Sequence, residues 1–213
     1  MSAGTTLLVL AKEPVPGRVK TRLHPAFSPA EAARLAAAAL ADTLDAVRAT
    51  PAARRVLVLA GRPGPWLPPG FEVQPQVAGG LDRRLAAALG GCAGPCLLVG
   101  MDTPQLTPAL LDVGWGEVDA WFGPAADGGY WALGLRSPTP ELAGRLLHGV
   151  PMSSIGTGAA QRDRLHAAGL RVGLLPMLRD VDTVTDADEV AALAPATRFA
   201  RTLADLTRQP AAR

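Results

Sequence analysis

Aromatic side chains are scarce in this sequence, at 4% of its 213 residues, so the core cannot depend on packed rings. The apolar content of 48% is supplied mostly by Ala, Leu and Val. This composition predicts aliphatic layers of helix packed on sheet. No stretch in the middle of the chain has the composition of a linker, so we expect a single domain over residues 1–213.

Targeting and membrane segments are also missing. The N-terminus has no basic region followed by an apolar stretch and a cleavage site of small residues. No apolar run approaches the length of a membrane span. We therefore expect a cytoplasmic protein without a membrane partner. The net charge is only +2 and the basic residues are spread along the chain, which argues against a nucleic-acid partner.

Residues that build common thiol and zinc sites are few. The only cysteines, Cys92 and Cys96, are separated by Ala-Gly-Pro, which is neither the redox nor the zinc spacing. We expect both to be reduced and without a catalytic role. His24, His148 and His166 have no spacing that suggests a shared metal site or a catalytic pair.

Lysine is almost absent, and both lysines lie in one segment, residues 12–22, which we call the basic loop. It follows an apolar run, Leu7 to Ala11, that has the length of a buried strand. Prolines and a glycine exclude a continuous helix, which suits a loop wrapped around phosphates. A solvated basic turn after an edge strand is the alternative. The candidate phosphate-binding residues are Lys12, Gly17, Arg18, Lys20, Thr21 and Arg22.

Apolar runs recur between helical patterns along the whole chain. They lack period-two alternation, as expected of strands that are covered on both faces. The alternation of strands and helices predicts a mostly parallel, three-layer α/β sheet. The predicted strands are 7–11, 55–60, 72–77, 95–100, 118–122, 130–135 and 171–175.

Capping signals mark the predicted helices. Ser28 and Glu31 form a capping box that begins a helix, which a Thr-Pro pair stops at residues 50–51. Thr183 and Asp186 make a similar arrangement for a C-terminal helix. Further helices are predicted after Gly79-Gly80, after Thr107 and over Gln161 to Gly169, with Thr157 as a possible cap.

Acidic residues follow two of the predicted strands. Asp102 comes directly after the run 95–100, and ligands of parallel α/β sheets bind outside the carboxyl ends of strands. Asp180 and Asp182 point to the same side if their backbone is extended. If the two strand ends meet, Asp102 and Asp182 can share one divalent cation, with Asp180 as a further candidate ligand, and such oxygen ligands suit Mg²⁺ or Mn²⁺. Turn formation is the alternative role of Asp102.

Two further positions have both a structural and a functional interpretation. Asp127-Gly128-Gly129 can form a hairpin turn, or the glycine amides can approach a ligand closely with Asp127 beside it. Arg84 lies in the first turn of a predicted helix, where the dipole does not favour a cation, so it either faces an anion or is an ordinary exposed arginine.

Four segments together resemble a known family. In order, they are AKEPVPGRVKTRL, LLVGMDTPQLTPALL, FGPAADGGYWALGL and LLPMLRDVDTVTDADEV. At these distances they resemble the bacterial transferases of the glycosyltransferase-A fold that are called radical-SAM/selenodomain-associated. The first segment is also similar to that of the 2-phospholactate guanylyltransferases. The resemblance covers nearly the whole chain and implies a nucleotide-diphospho-sugar transferase fold, which is Rossmann-like.

The resemblance also implies roles for individual residues. Arg18, Lys20 and Arg22 would neutralise nucleotide phosphates, and Asp102 would hold a divalent metal, Mg²⁺ or Mn²⁺. Asp182 matches the place of a second metal-ligating Asp or Asn. The segment Asp127, Gly128 and Gly129 would line the acceptor or sugar side. In addition, Val184 stands where relatives commonly have proline, and Met152 where many have tryptophan, so the acceptor pocket is expected to differ.

Three functions stay open at this point. The first is glycosyl transfer from a nucleotide sugar, with Lys20, Asp102 and Asp127 as candidate catalytic residues and Asp127 as the base for an acceptor hydroxyl. The second is nucleotidyl transfer from a nucleoside triphosphate to a phosphorylated small molecule, which releases pyrophosphate. The third is a nucleotide-binding protein without turnover. The partners expected are a nucleotide or nucleotide sugar and a small-molecule acceptor, and the sequence does not predict the oligomeric state.

Overall fold

One seven-stranded sheet forms the centre of the molecule, for which the computed structural model describes residues 4–208. The strands are β1 (Thr6–Lys12), β2 (Arg54–Ala60), β3 (Glu72–Pro75), β4 (Cys96–Val99), β5 (Ala120–Pro124), β6 (Tyr130–Leu135) and β7 (Val172–Leu174). Their order is β3-β2-β1-β4-β6-β5-β7. Only β6 runs antiparallel to its neighbours. The predicted mostly parallel α/β sheet is confirmed.

Helices cover both faces of this sheet. They are α1 (Pro29–Ala49), α2 (Leu81–Gly90), α3 (Pro108–Leu111), α4 (Pro140–Leu147), α5 (Thr157–Ala167), α6 (Val184–Leu193) and α7 (Arg198–Arg208). Successive residues of β1 point to opposite faces, so Val9 packs in a cluster with Leu44 of α1 and Leu8 in a second cluster with Leu89 of α2. Because both faces are buried, β1 has a continuous apolar sequence. Among the described residues, no helix is both long and apolar enough to span a membrane.

Caps fix the ends of several helices. The capping boxes Ser28–Glu31 and Thr183–Asp186 are both present, as predicted. Thr107 is the N-cap residue of α3, although its side chain makes no capping hydrogen bond. Thr157 is the first residue of α5 rather than its cap, since Gly156 holds the N-cap position, and Thr157 Oγ1 donates back to Pro151 O at 2.7 Å.

Two helices were not predicted from the sequence, and α5 begins earlier than expected. The unpredicted helices are α4 and α7. The N-terminus of α7 has a cap from a distant part of the chain: the carboxylate of Asp42 in α1 accepts hydrogen bonds from the amides of Arg198 and Phe199 at 2.9 and 2.8 Å. A local cap is also present, since Thr197 Oγ1 accepts a hydrogen bond from the Ala200 amide at 3.1 Å, and this start signal was missed in the sequence.

Candidate functional site

A cleft of about 850 Å³ runs along the carboxyl edge of the parallel strands. Its lining comes from the basic loop after β1, the segment between β3 and α2, the end of β4, the β5–β6 turn, and the segments 152–157 and 180–186. This is the edge at which α/β sheets bind their ligands. The sheet order therefore brings together chain segments that are far apart in sequence.

Lys20 lies at the centre of the acidic part of this cleft. Its backbone is left-handed, with φ of 51°, and its side chain is only 5% exposed. The ammonium Nζ lies 2.5 Å from Asp102 Oδ1 and 3.7 Å from Asp182 Oδ1, and it also donates to the carbonyl oxygen of Val181. One lysine thus joins the two strand ends that carry the candidate metal ligands.

Backbone and side-chain contacts join the segment after β4 to the segment 179–182. The amide of Val181 donates to Asp102 O at 2.9 Å, and Gln105 Nε2 donates to Arg179 O at 2.7 Å. Arg22 adds an ion pair to Asp182, with 3.1 Å between Nη1 and Oδ2. The predicted convergence of the two acidic strand ends is therefore present in the fold.

Asp180 lies beside this group in an unfavourable environment for a negative charge. Burial raises its pKa to about 7, and the nearby carboxylates of Asp102, Asp127 and Asp182 add to the rise, whereas Lys20 opposes it. A carboxyl group with this pKa is partly protonated at neutral pH. A bound divalent cation would favour its ionised form and release the proton.

We predict that Asp180→Asn stabilises the protein above pH 7 when divalent cations are chelated. The pKa of Asp180 is about 7 in the native state and 3.8 in the unfolded state. The contribution of Asp180 to the free energy of unfolding therefore becomes less favourable as the pH rises from about 4 to 7, and the full loss is present above pH 7. After allowance for solvent screening, we expect a gain of about 2 kcal/mol in the free energy of unfolding at pH 8. Urea denaturation at pH 4, 6 and 8 measures it, with the exposed Asp188→Asn as control. An equal gain in the free energy of unfolding at pH 4 and at pH 8 would contradict the raised pKa of Asp180.

The carboxylates of the cleft do not form the three-ligand metal site that the sequence predicts. Within residues 4–208, no three His, Cys, Asp or Glu side chains form a group that could hold a metal ion. The predicted set of Asp102, Asp180 and Asp182 is therefore not assembled as a three-carboxylate site, because the ammonium of Lys20 lies between Asp102 and Asp182. That ammonium occupies the place of a cation, and Mg²⁺ commonly uses only one or two carboxylates together with phosphate oxygens and water. Asp102 and Asp182 fit this smaller donor set.

The other predicted binding residues divide into two groups. Six of them line the same cleft as Lys20: Lys12, Arg18, Thr21, Arg22, Arg84 and Gly129. Gly17 and Gly128 do not line it, and both have positive φ, at 75° and 88°, so they shape the backbone instead.

The turn between β5 and β6 adopts the hairpin predicted for it, whereas the close approach of its glycine amides to a ligand stays a prediction. It is a hairpin, since β5 and β6 pair antiparallel, and Asp127 Oδ1 accepts a hydrogen bond from the Gly129 amide at 2.9 Å. It also packs against the start of α5, because the Gly158 amide donates to Gly128 O at 2.8 Å. The exposed carboxylate of Asp127 is thereby oriented at the cleft edge.

Sequence reasoning missed two parts of the site. Gln76 follows β3 and lines the cleft, and its Nε2 donates to Ala11 O and Val58 O at 2.8 and 3.0 Å. Arg84 Nη1 in turn donates to Gln76 Oε1 at 3.4 Å. The second missed part is the rest of the segment 152–157, from which only Met152 was singled out for the acceptor pocket in the sequence. Gln76 lies inside the predicted strand 72–77, whereas β3 ends at Pro75, so its position after a strand was hidden.

One protein-family model matches more than half of this chain. A model described as an uncharacterized protein conserved in bacteria (DUF2064) matches residues 31–154. The chain belongs to the DUF2064 family. The matched region contains Asp102 and Asp127, whereas the basic loop and Asp182 lie outside it. None of the curated proteins matches this DUF2064 chain.

Solved structures support the fold of this DUF2064 protein. A Desulfovibrio desulfuricans protein, provisionally named a nucleotide-diphospho-sugar transferase, is 26% identical with a TM-score of 0.84, and the match covers 98% of both chains. Rv0371C from Mycobacterium tuberculosis, in complex with manganese, is 22% identical with a TM-score of 0.52 over 89% of this chain and 98% of that one. A 2-C-methyl-D-erythritol 4-phosphate cytidylyltransferase from Thermus thermophilus is 16% identical with a TM-score of 0.53, over 90% and 99%. The expected Rossmann-like fold of nucleotide-diphospho-sugar transferases is confirmed.

Proposed function

We propose that this DUF2064 protein is a metal-dependent transferase that uses a nucleotide-sugar donor and transfers the sugar to a small-molecule acceptor. One observation carries the proposal: cations of the basic loop and the carboxylates of Asp102 and Asp182 meet around Lys20 in one cleft. Such a pairing suits a diphosphate bound together with a divalent cation. The name of the Desulfovibrio relative agrees with it.

Each group has a defined task in this proposal. The loop cations Arg18, Lys20 and Arg22 would balance the charge that the diphosphate gains when it leaves. Asp102 and Asp182 would hold Mg²⁺ or Mn²⁺, which supplies further charge neutralisation at the phosphates when bound. For this to happen, the ammonium of Lys20 must move from the carboxylates toward the phosphates. Asp127, exposed and oriented by the Gly129 amide, would accept the proton of an acceptor hydroxyl.

Nucleotidyl transfer from a nucleoside triphosphate is the second candidate. It is favoured by the number of cations that line the cleft, because they suit three phosphates as well as two. The Thermus relative bears the name of a cytidylyltransferase, which is in line with this candidate. The five cleft cations are Lys12, Arg18, Lys20, Arg22 and Arg84.

Ligand binding and product analysis test the proposal. The protein is screened by thermal shift, with and without Mg²⁺, against the common nucleoside diphosphates, triphosphates and nucleotide sugars, since a ligand of the native state raises Tm. The best binders are then incubated with acceptor mixtures, and released products are separated by anion exchange. Release of nucleoside diphosphate supports glycosyl transfer, and release of pyrophosphate supports nucleotidyl transfer. Binding without either product would support a nucleotide-binding protein without turnover, and no binding at all would contradict the proposal.

A further inference from the structure

The sheet order divides the cleft into two sides with different charge. One side is formed by β1, β2 and β3 with the segments that follow them, and it supplies all five cations of the cleft lining. Four of them lie in the basic loop, and the fifth is Arg84 on α2. On the other side lie β5, β6 and β7. Since β4 and Asp102 stand between them, the phosphates of a nucleotide belong on the side of β1.

The second side contributes no Lys, Arg or His to the cleft lining in the described part of the chain, and after β7 it adds the carboxylates of Asp180, Asp182 and Asp186. Within residues 127–157, its lining consists of one carboxylate, four hydroxyl residues, of which Tyr130 is also aromatic, three other aromatic or apolar side chains and a glycine. None of these residues is Lys, Arg or His. They are Asp127, Gly129, Tyr130, Trp131, Met152, Ser153, Ser154, Ile155 and Thr157.

The segment 152–157 gives this side a defined shape. Thr157 Oγ1 donates to Pro151 O at 2.7 Å and accepts from the Ser154 amide at 3.0 Å, so it ties the segment together at the start of α5. The backbone of Ser153 is left-handed, with φ of 57°. Ile155 is 88% exposed although it lines the cleft. A fixed backbone therefore presents an uncovered aliphatic side chain in the same cleft lining as Asp127.

We infer that the acceptor is an uncharged, hydroxyl-bearing molecule whose carbon skeleton packs on Ile155 and Met152, and not a phosphate ester. The inference rests on the proposed function and names the substrate class of that same cleft. A phosphate ester on this side would bring like charge toward Asp127, and no Lys, Arg or His of this side's lining would balance it.

The transfer step balances with these groups. The acceptor oxygen forms a bond to the anomeric carbon of the donor sugar, and the bond between that carbon and the diphosphate oxygen breaks. Its electron pair leaves with the nucleoside diphosphate, and the acceptor proton passes to the carboxylate of Asp127. Glycosyl transfer to a hydroxyl therefore fits the charge pattern better than nucleotidyl transfer to a phosphate.

Inorganic phosphate is the probe that tests this charge pattern. Protein saturated with Mg²⁺ and its best-binding nucleoside diphosphate is titrated with phosphate, and binding is followed by ³¹P line broadening. The wild-type complex is expected to show no saturable further site, whereas Ile155→Arg should bind phosphate about tenfold more tightly than Leu193→Arg does, through a new charge-assisted contact. Leu193→Arg is the matched control, because Leu193 is also exposed, at 73%, but lies outside the cleft.

Three results have distinct meanings. Saturable phosphate binding to the wild-type complex that Ile155→Asp weakens and Leu193→Asp does not would overturn the inference. A failure of Ile155→Arg to gain affinity relative to Leu193→Arg would also overturn it, because Ile155 would then not face the ligand space. If the wild-type protein binds no nucleoside diphosphate at all, the proposed function itself fails, and that result is visible before any phosphate is added.

Discussion

Lys20→Met is expected to weaken binding of nucleoside diphosphates by about 30-fold and to leave binding of the corresponding nucleosides unchanged. The reason is that Lys20 is the one buried cation of the basic loop, and a charge-assisted contact to phosphate contributes about 2 kcal/mol. Methionine keeps a chain of similar length and the same left-handed backbone at φ of 51°, so the change removes charge rather than shape. Isothermal titration with each nucleotide and nucleoside measures the effect.

The same variant has a second expected result, without nucleotide. Because the Lys20 ammonium no longer neutralises Asp102 and Asp182, their carboxylates should bind Mn²⁺ more tightly than in the wild-type protein. Electron paramagnetic resonance of free Mn²⁺ measures this binding. Arg62→Met, which removes an exposed cation outside the cleft, is the control. Equal loss of nucleoside and nucleoside diphosphate affinity in Lys20→Met would show that the basic loop does not contact phosphates.

Gly128→Ala is expected to lower the free energy of unfolding by about 3 kcal/mol, through a backbone cost and a steric cost together. Gly128 has φ of 88°, and a Cβ at this position would lie 2.2 Å from the carbonyl oxygen of Ile155. That oxygen belongs to backbone, so the β5–β6 turn or the segment 152–157 must shift. Urea denaturation measures the change.

Gly17→Ala provides the matched control for this prediction. Gly17 has a similar φ of 75°, but a Cβ there would meet no atom within 4 Å. Only the backbone cost remains, and we expect about 1 kcal/mol. If both substitutions cost the same, the close packing of the β5–β6 turn on the segment 152–157 is not as described.

The architecture could be predicted because each of its signals is local. The strands β1, β2 and β4 are short apolar runs, and residues such as Leu8 and Val9 pack on opposite faces, so an unbroken apolar run already implies helices on both sides. The start of α7 has a local signal in Thr197, which caps the Ala200 amide, but its second cap could not be predicted, since the carboxylate of Asp42 lies 156 residues away from Arg198. Long-range capping has no signature in a short window of sequence.

The candidate site was predictable in its parts rather than in its arrangement. Four cations lie within eleven residues of the basic loop, so their grouping is a property of sequence alone. The meeting of Asp102 with Asp182 depends on a hydrogen bond between the Val181 amide and Asp102 O, which only the folded sheet creates. The position of Lys20 between these carboxylates, where sequence reasoning put a metal ion, likewise follows from tertiary structure.

The dependence of nucleotide affinity on Mg²⁺ in Asp102→Asn tests the central claim most directly. The account predicts that Mg²⁺ strengthens nucleoside diphosphate binding to the wild-type protein, and that Asp102→Asn abolishes this gain while its circular dichroism spectrum stays unchanged. Isothermal titration with and without Mg²⁺ measures both proteins. An Asp102→Asn variant that keeps the full Mg²⁺-dependent gain would contradict the claim that the basic loop and the two acidic strand ends hold one ion-bound diphosphate.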